Sequence, residues 1–432
     1  MRILSFTGGA GAMYCGSCLR DNALASELLR RGHDVLLTPV YTPTRTDERN
    51  VSQGQVFFGG ISVYLEQHAP IFRHTPKVLD RLWDSGWALR LATRRQIAVD
   101  PKDLGALTVS MLRGERGFQR KEIHKLLDWL KTEPRFDVVN LPYALLAGLA
   151  EPIRRTLGVP ICCTLQGEDL FLDGLGEPYK RESLELIRAA SAHVDAFLPV
   201  SRYYMEYMPE YLGIPREKMR LAPLGINLDG YHSRTTERNG PFTVGYFARI
   251  APEKGLRELA EAYRHLRAST AGEPARLVAA GYLAPEHQKY LDGVTAAVGA
   301  AGLEKEFEYR GELERGDKIA FFHEMDVLSV PTTYREPKGL FLLEAMASGV
   351  PAVQPRHGAF PEIIEKTGGG ITVDVNDPDA LAAGLFALWR DPAGRKALGE
   401  AGAAGVRHHY NAGLMAETVE AVYAEVTSAF RL

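Results

Sequence analysis

One pattern limits what this chain can fold into: an apolar run, a glycine loop, an amphipathic helix and a second apolar run, written twice. The first copy opens the sequence. Ile3 to Phe6 is apolar, Gly8 and Gly9 break it, and a helical pattern through Leu19, Ala23, Leu24 and Leu28 stops at Arg31-Gly32-His33, where Asp34 to Pro39 begins a new apolar run. Strand, helix, strand with a glycine stop is the βαβ unit of a parallel sheet. Strands are also expected at Asp137 to Leu141, Pro160 to Leu165 and Asp195 to Val200, between helices at Lys121 to Thr132 and Arg181 to Ala192. The second copy starts at Phe242 to Tyr246 and continues with a helix at Gly255 to Arg267, a strand at Ala275 to Ala280 and a helix at Pro285 to Val298. Strands near Glu306 to Tyr309, Asp326 to Val330 and Val350 to Val353 extend it.

Between the copies, residues 223–241 read PLGINLDGYHSRTTERNGP, with little apolar periodicity and many turn formers, as a linker does. The expected organisation is an N-terminal Rossmann-like domain at 1–222, a linker at 223–241, a second domain at 242–410 and a last helical segment at 411–432 that can pack back on the first domain. The fold class is α/β, with two doubly wound domains facing across a cleft. A length of 432 residues suits two such cores.

Charge then limits the partners. With 51 Lys+Arg against 54 Asp+Glu and a formal charge of -3, no whole-molecule field favours nucleic acid, so an anion site has to be local. The N-terminus reads as a strand and loop rather than a secretory signal, no apolar run approaches the roughly 18 residues of a membrane span, and the four cysteines do not form a disulfide scaffold. A cytoplasmic location is expected.

Two constellations carry chemistry. In EPKGLFLLEAMASGVPAV, residues 336–353, Glu336 and Glu344 are separated by seven residues, with Gly339 among them. If Gly339 opens a helix, the N–H groups at Gly339, Leu340 and Phe341 face the loop end, where the helix dipole favours a phosphate. Glu344, farther along, can accept from ribose hydroxyls, and Glu336 can reach the sugar side. A solvated acidic pair beside a core helix is the plainer account of two glutamates alone. The second constellation is GYFARIAPEKGLREL, with Arg249 and Lys254 in the loop after the second domain's first strand. Two cations there can straddle a pyrophosphate and neutralise a departing diphosphate. No metal is expected, because those loops offer no acidic pair to hold one. Asp377-Pro378-Asp379 reads as a capped helix start.

These residues, with the N-terminal LASELLRRGH segment, resemble retaining GT-B glycosyltransferases of family four over nearly the whole chain, most densely in the second domain. The resemblance implies that Arg249 and Lys254 bind the donor diphosphate, Glu344 the ribose and Glu336 the transferred sugar. It also places a phosphate-approaching glycine at Gly16. Where the family often has a histidine near the donor sugar this chain has Gln166, which can exchange hydrogen bonds but carries no proton charge near neutral pH. The nucleotide-sugar would be a substrate, with no separate cofactor, and the acceptor is not identified. Rival readings are a nucleotide-sugar epimerase, a phosphorylase-like enzyme of the same fold, or a nucleotide-sugar-binding protein without turnover.

Two weaker signals remain. Cys15 and Cys18 form CGSC at a helix start, which suits redox or metal chemistry less than the filling of a tight loop by small residues. Residues 71–95 interleave Arg73, Lys77, Arg81, Arg90, Arg94 and Arg95 with Trp83 and Trp87, so the stretch can touch an anionic membrane surface or a polar acceptor; a solvated helix face is the simpler account.

Overall fold

The computed structural model describes residues 1–9, 13–58, 101–234, 240–270 and 272–431. The basic stretch at 71–95 lies outside the described residues. The chain divides into two compact units, Met1–Pro223 with Met415–Leu432, and Leu224–Leu414.

In the first unit, β1 (Arg2–Thr7), β2 (Asp34–Pro39), β3 (Val138–Leu141), β4 (Ile161–Leu165) and β5 (Ala196–Pro199) form a parallel sheet in the order β2-β1-β3-β4-β5. Helix α1 (Gly16–Arg30) is the first crossover, and it buries Ala23, Leu24 and Leu28, the residues that mark its apolar stripe in the sequence. The order in which strands are added reverses between β1 and β3, and the loops leaving the carboxyl ends of these parallel strands lie at that switch point, the usual place for a ligand crevice. Adjacent Cys162 and Cys163 lie in β4, where alternate residues face opposite sides. Both are fully buried, burial pushes both thiols up, and they act as small core hydrophobes.

The second unit has β6 (Phe242–Phe247), β7 (Ala275–Ala280), β8 (Phe307–Tyr309), β9 (Val327–Leu328), β10 (Ala352–Pro355) and β11 (Gly370–Val373), ordered β11-β10-β9-β6-β7-β8. Read from β8, this is the dinucleotide-fold order 3-2-1-4-5-6, with its switch point between β6 and β9. Three helices frame that switch point: α2 (Leu256–Ser269) after β6, α3 (Arg315–His323) before β9, and α4 (Leu340–Ala347) after it. Val244 pairs with Val327 and Gly245 with Leu328, so the loops after β6 and β9 leave the sheet side by side.

Each unit has its own apolar core, one around Leu4, Val139, Ile161 and Phe197, the other around Val244, Leu277, Leu328 and Leu342. Three residues of the segment read as a linker, Leu224, Ile226 and Tyr231, are buried in the second core. Ile226 is bonded through its N–H to the Tyr410 carbonyl. Those apolar residues are spaced too irregularly to show a period, which is why the segment looks like a loop in sequence. Helix α5 (Ala412–Arg431) returns to the first unit, buries Tyr423, and pairs Glu420 with Arg31 at 2.8 Å and Glu425 with Arg220 at 2.7 Å. Among the described residues no helix is long and apolar enough to cross a membrane.

Candidate functional site

At the switch point of the second unit, two loops are drawn together by backbone. Gly255 closes the loop after β6 with φ +79, and a Cβ there would lie 1.9 Å from the Pro331 carbonyl oxygen in the loop after β9. Only glycine permits that approach. A bond of 3.0 Å from the Thr333 N–H to the Glu253 carbonyl ties the same two loops.

The contact places Lys254 against Glu336. Its Nζ lies 2.6 Å from Glu336 Oε2 and 2.6 Å from the Tyr334 hydroxyl, and Tyr334 donates to the same Oε2. Glu336 Oε1 accepts the N–H groups of Lys338 at 3.2 Å and Gly339 at 3.4 Å. Burial alone would raise the Glu336 carboxyl. The charges of Lys254 and Lys338, with the hydrogen bonds from Lys254 and Tyr334, outweigh it and hold the group at about 2. Two buried charges in such a pair are stable only because each is well bonded, and removing one partner typically costs about 3–5 kcal/mol.

Gly339 is the N-cap of α4, with φ +65, and has no side chain to cap the helix. Its carbonyl accepts from the Leu342 N–H, so the helix starts at once. The N–H groups of Leu340 and Phe341, the first two of the helix, take no acceptor among the described residues. The Lys254 ammonium is 5.9 Å from the centre of the Phe341 ring. An ammonium and open N–H groups thus share one end of α4, an arrangement suited to an anion.

Arg249 stands apart from this cluster. Its Nη2 is 2.9 Å from Glu253 Oε1, and both side chains are partly exposed. The two acids at these loops, Glu253 and Glu336, are each engaged by a cation rather than facing each other. Among the described residues no group of three or more His, Cys, Asp or Glu could hold a metal ion.

One turn along α4, Glu344 is buried, and its Oε1 accepts from Lys318 Nζ at 2.6 Å and from the Tyr231 hydroxyl at 3.0 Å. Sequence reasoning passed over Lys318, Tyr231, Tyr334 and Glu253. A signal existed for Lys318: it shares the buried stripe of α3 with Phe321 and Phe322, three and four residues on, an unusual place for an unpaired lysine. Tyr334 and Tyr231 lie in irregular loops with no period to mark them.

In the first unit, Gly16 is the first residue of α1, and Gln166 follows β4. Gln166 is buried; its Nε2 donates to the Pro142 carbonyl at 2.8 Å and lies 3.4 Å from Asp21 Oδ1, and its Oε1 has no partner among the described residues. Burial raises the Asp21 carboxyl, against the charge of Arg20, 3.2 Å away. Glu168 fixes the turn after Gln166 by accepting the N–H groups of Gln166, Gly167 and Ala144 at 2.8 to 3.0 Å. Asp377 caps the helix at Pro378–Arg390 by accepting from the Ala380 N–H at 2.9 Å, as its Asp-Pro start predicts.

Comparison with known proteins adds two family matches that abut. Residues 73–229 match the model described as Glycosyltransferase Family 4, and residues 230–404 the model described as Glycosyl transferases group 1. A curated relative from Salmonella typhimurium, provisionally named a colanic acid biosynthesis glycosyltransferase, is 28% identical over 248 residues. That match spans 55% of this chain and 58% of the relative, little more than half of either. Among solved structures, sucrose-phosphate synthase from Thermosynechococcus elongatus superposes with a TM-score of 0.71 at 16% identity, covering 99% of this chain and 100% of that one. The Anabaena protein HepE, solved with UDP and glucose, gives 0.69 at 16% identity, covering 98% of this chain and 99% of that one. At such identities the likeness speaks to the fold alone.

Proposed function

We propose, from the premise that this is a protein of the GT-B glycosyltransferase fold, that it moves a sugar from a nucleoside diphosphate to an acceptor with retention at the anomeric carbon and without a metal. The observation that carries the reading is the meeting of Lys254, Glu336 and the opening of α4 at the switch point of the second unit. The donor diphosphate lies at the Leu340 and Phe341 N–H groups, with Lys254 beside it. Arg249 turns from Glu253 to the phosphates. Glu344 accepts from the ribose. That a neighbour of the same fold was solved with UDP and glucose supports a donor of this class.

In the reaction the bond from the anomeric carbon to the phosphate oxygen breaks, and the acceptor oxygen bonds to the same face. The acceptor proton passes to the departing phosphate oxygen. Negative charge grows on that oxygen, and Lys254 and the helix N–H groups meet it there, so they stabilise the transition state more than the bound donor. Glu336 first serves as organiser. Its four bonds fill a carboxylate's acceptor capacity, so contact with the transferred sugar requires one of them to be exchanged.

The test is incubation of the protein with UDP-, GDP- and ADP-sugars and a panel of sugar and polyol acceptors, with the product anomer read by NMR. Transfer with the donor's anomeric configuration supports the reading. An inverted product contradicts retention, and tight donor binding without transfer or hydrolysis contradicts the enzyme.

A further inference from the structure

A carboxylate meant only to accept from a ribose would be expected at the water-facing edge of a site. Glu344 is instead held from behind. Lys318 Nζ and the Tyr231 hydroxyl both end on Oε1, and the Lys318 and Glu344 side chains are 4% and 8% exposed. Tyr231 is braced in turn. The Arg315 guanidinium lies 4.9 Å over its ring and bonds the Asn227 carbonyl at 2.9 Å and the Asp229 carbonyl at 2.8 Å, and Arg407 Nη2 bonds the Tyr231 carbonyl at 3.1 Å. The ion pair joins α3 to α4 across the second unit.

We infer that Lys318 is a positioning residue that fixes Glu344 in a single orientation and so sets how strongly the site prefers a ribonucleotide over its 2′-deoxy counterpart. The inference rests on the assignment of Glu344 to the donor ribose. Well-packed apolar residues often serve stability as well as a buried ion pair does, so stability alone gives little reason for one here. What the pair adds is geometry. With Oε1 filled by two donors, Oε2 takes no bond among the described residues, and its two lone pairs are left for hydroxyls from outside. A vicinal diol offers two such donors on one side, and a 2′-deoxyribose offers one. Without Lys318 the carboxylate loses the charged and shorter of the two bonds that hold Oε1 away from the ligand, keeps only the Tyr231 hydroxyl there, and is freer to rotate. The match to two hydroxyls is then lost, while contacts to base and phosphates stay.

The experiment measures dissociation constants by calorimetry for UDP, GDP and ADP and for their 2′-deoxy forms, using the base that binds most tightly. For the unaltered protein, at least about tenfold preference for the ribo form is expected, the scale of one hydrogen bond to a charged group. Lys318→Met should reduce that preference to about twofold or less, and Lys318→Arg, which keeps the charge and the donors, should retain it. Should Lys318→Met not fold, Lys318→Gln, which keeps a donor without the charge, is read in the same way. A purely structural role would weaken ribo and deoxy forms equally and leave the ratio intact. An unchanged ratio in the Met or Gln variant therefore overturns the inference while leaving the ribose assignment standing. An unaltered protein with no preference overturns both.

Discussion

Lys254 is asked to do two things at once, and its substitution separates them. It neutralises a buried carboxylate at rest, and in the proposed reaction it meets charge growing on the leaving diphosphate. Lys254→Ala is expected to lower kcat by about 10²–10³, the usual scale for one preorganised donor, with a smaller change in donor KM. Steady-state kinetics check this, and a raised KM with kcat intact would remove Lys254 from the transition state. The same variant should melt lower, because Glu336 is left buried without its cation. Glu336 also gives a pH prediction. Its carboxyl is held down to about 2 from an ordinary value of 4.5. A depressed carboxylate contributes stability that is complete above the ordinary value and is lost as pH falls through the folded one. Urea unfolding between pH 5 and pH 2 should show a loss on the order of 3 kcal/mol from this group. Glu336→Gln should lack that segment of the slope, and identical slopes would mean that the pairing does not hold the carboxyl down.

Elements were more legible in the sequence than the way their loops meet. Most strands can be read because they are short, continuously buried apolar runs, and helices such as α1 and α5 because their burial is periodic, so each begins or ends within a few residues of where its apolar pattern does. The failures have physical causes. The helix at Arg202–Leu212 carries Pro209 in its interior, which reads as a breaker. Strand β11 has four half-buried residues and opens in a run of three glycines, so neither length nor alternation marks it. For the site, the residue types were legible, since cations and acids in loops at the carboxyl edge of a parallel sheet point to a ligand. Their partners were not. Arg249 meets Glu253 within one loop, and Lys254 meets Glu336 because of the path of two loops, a path that turns on Gly255. Gly255→Ala is therefore expected to act on the element rather than on any side-chain contact. A Cβ 1.9 Å from the Pro331 carbonyl at φ +79 forces the loops apart, at a cost of at least about 1–3 kcal/mol by the usual scale of backbone strain. The drop in melting temperature should come with weakened nucleotide binding, although Gly255 bears no group that could touch a nucleotide. A variant that loses stability but binds nucleotide normally would show that the loop contact does not organise the site.

At the scale of the whole molecule, charge is what the protein lacks. With 51 basic and 54 acidic residues it is slightly negative, so the proposed nucleoside diphosphate would be drawn in by no overall field, and its charge would have to be met where it binds. Two solutions are available to a sheet of this kind. One is a divalent cation bridging the phosphate oxygens, which needs carboxylates converging on it. The other is fixed cations and helix N–H groups. This protein has Lys254 beside the open start of α4 and Arg249 in the same loop, and the carboxylates nearest to them, Glu336 and Glu253, are already committed to those cations. For a metal to bind there, it would have to displace an ammonium from a pair that holds two loops together. Activity with the best donor is therefore expected to survive metal stripping and excess EDTA, and to fall with rising salt as the partly exposed Arg249 is screened. The check is an assay of the purified, stripped protein with and without added Mg²⁺ or Mn²⁺. If turnover vanishes on stripping and either ion restores it, the leaving diphosphate is not stabilised by Lys254, Arg249 and α4 alone, and the carboxylates assigned here to ion pairs must instead be available to a metal.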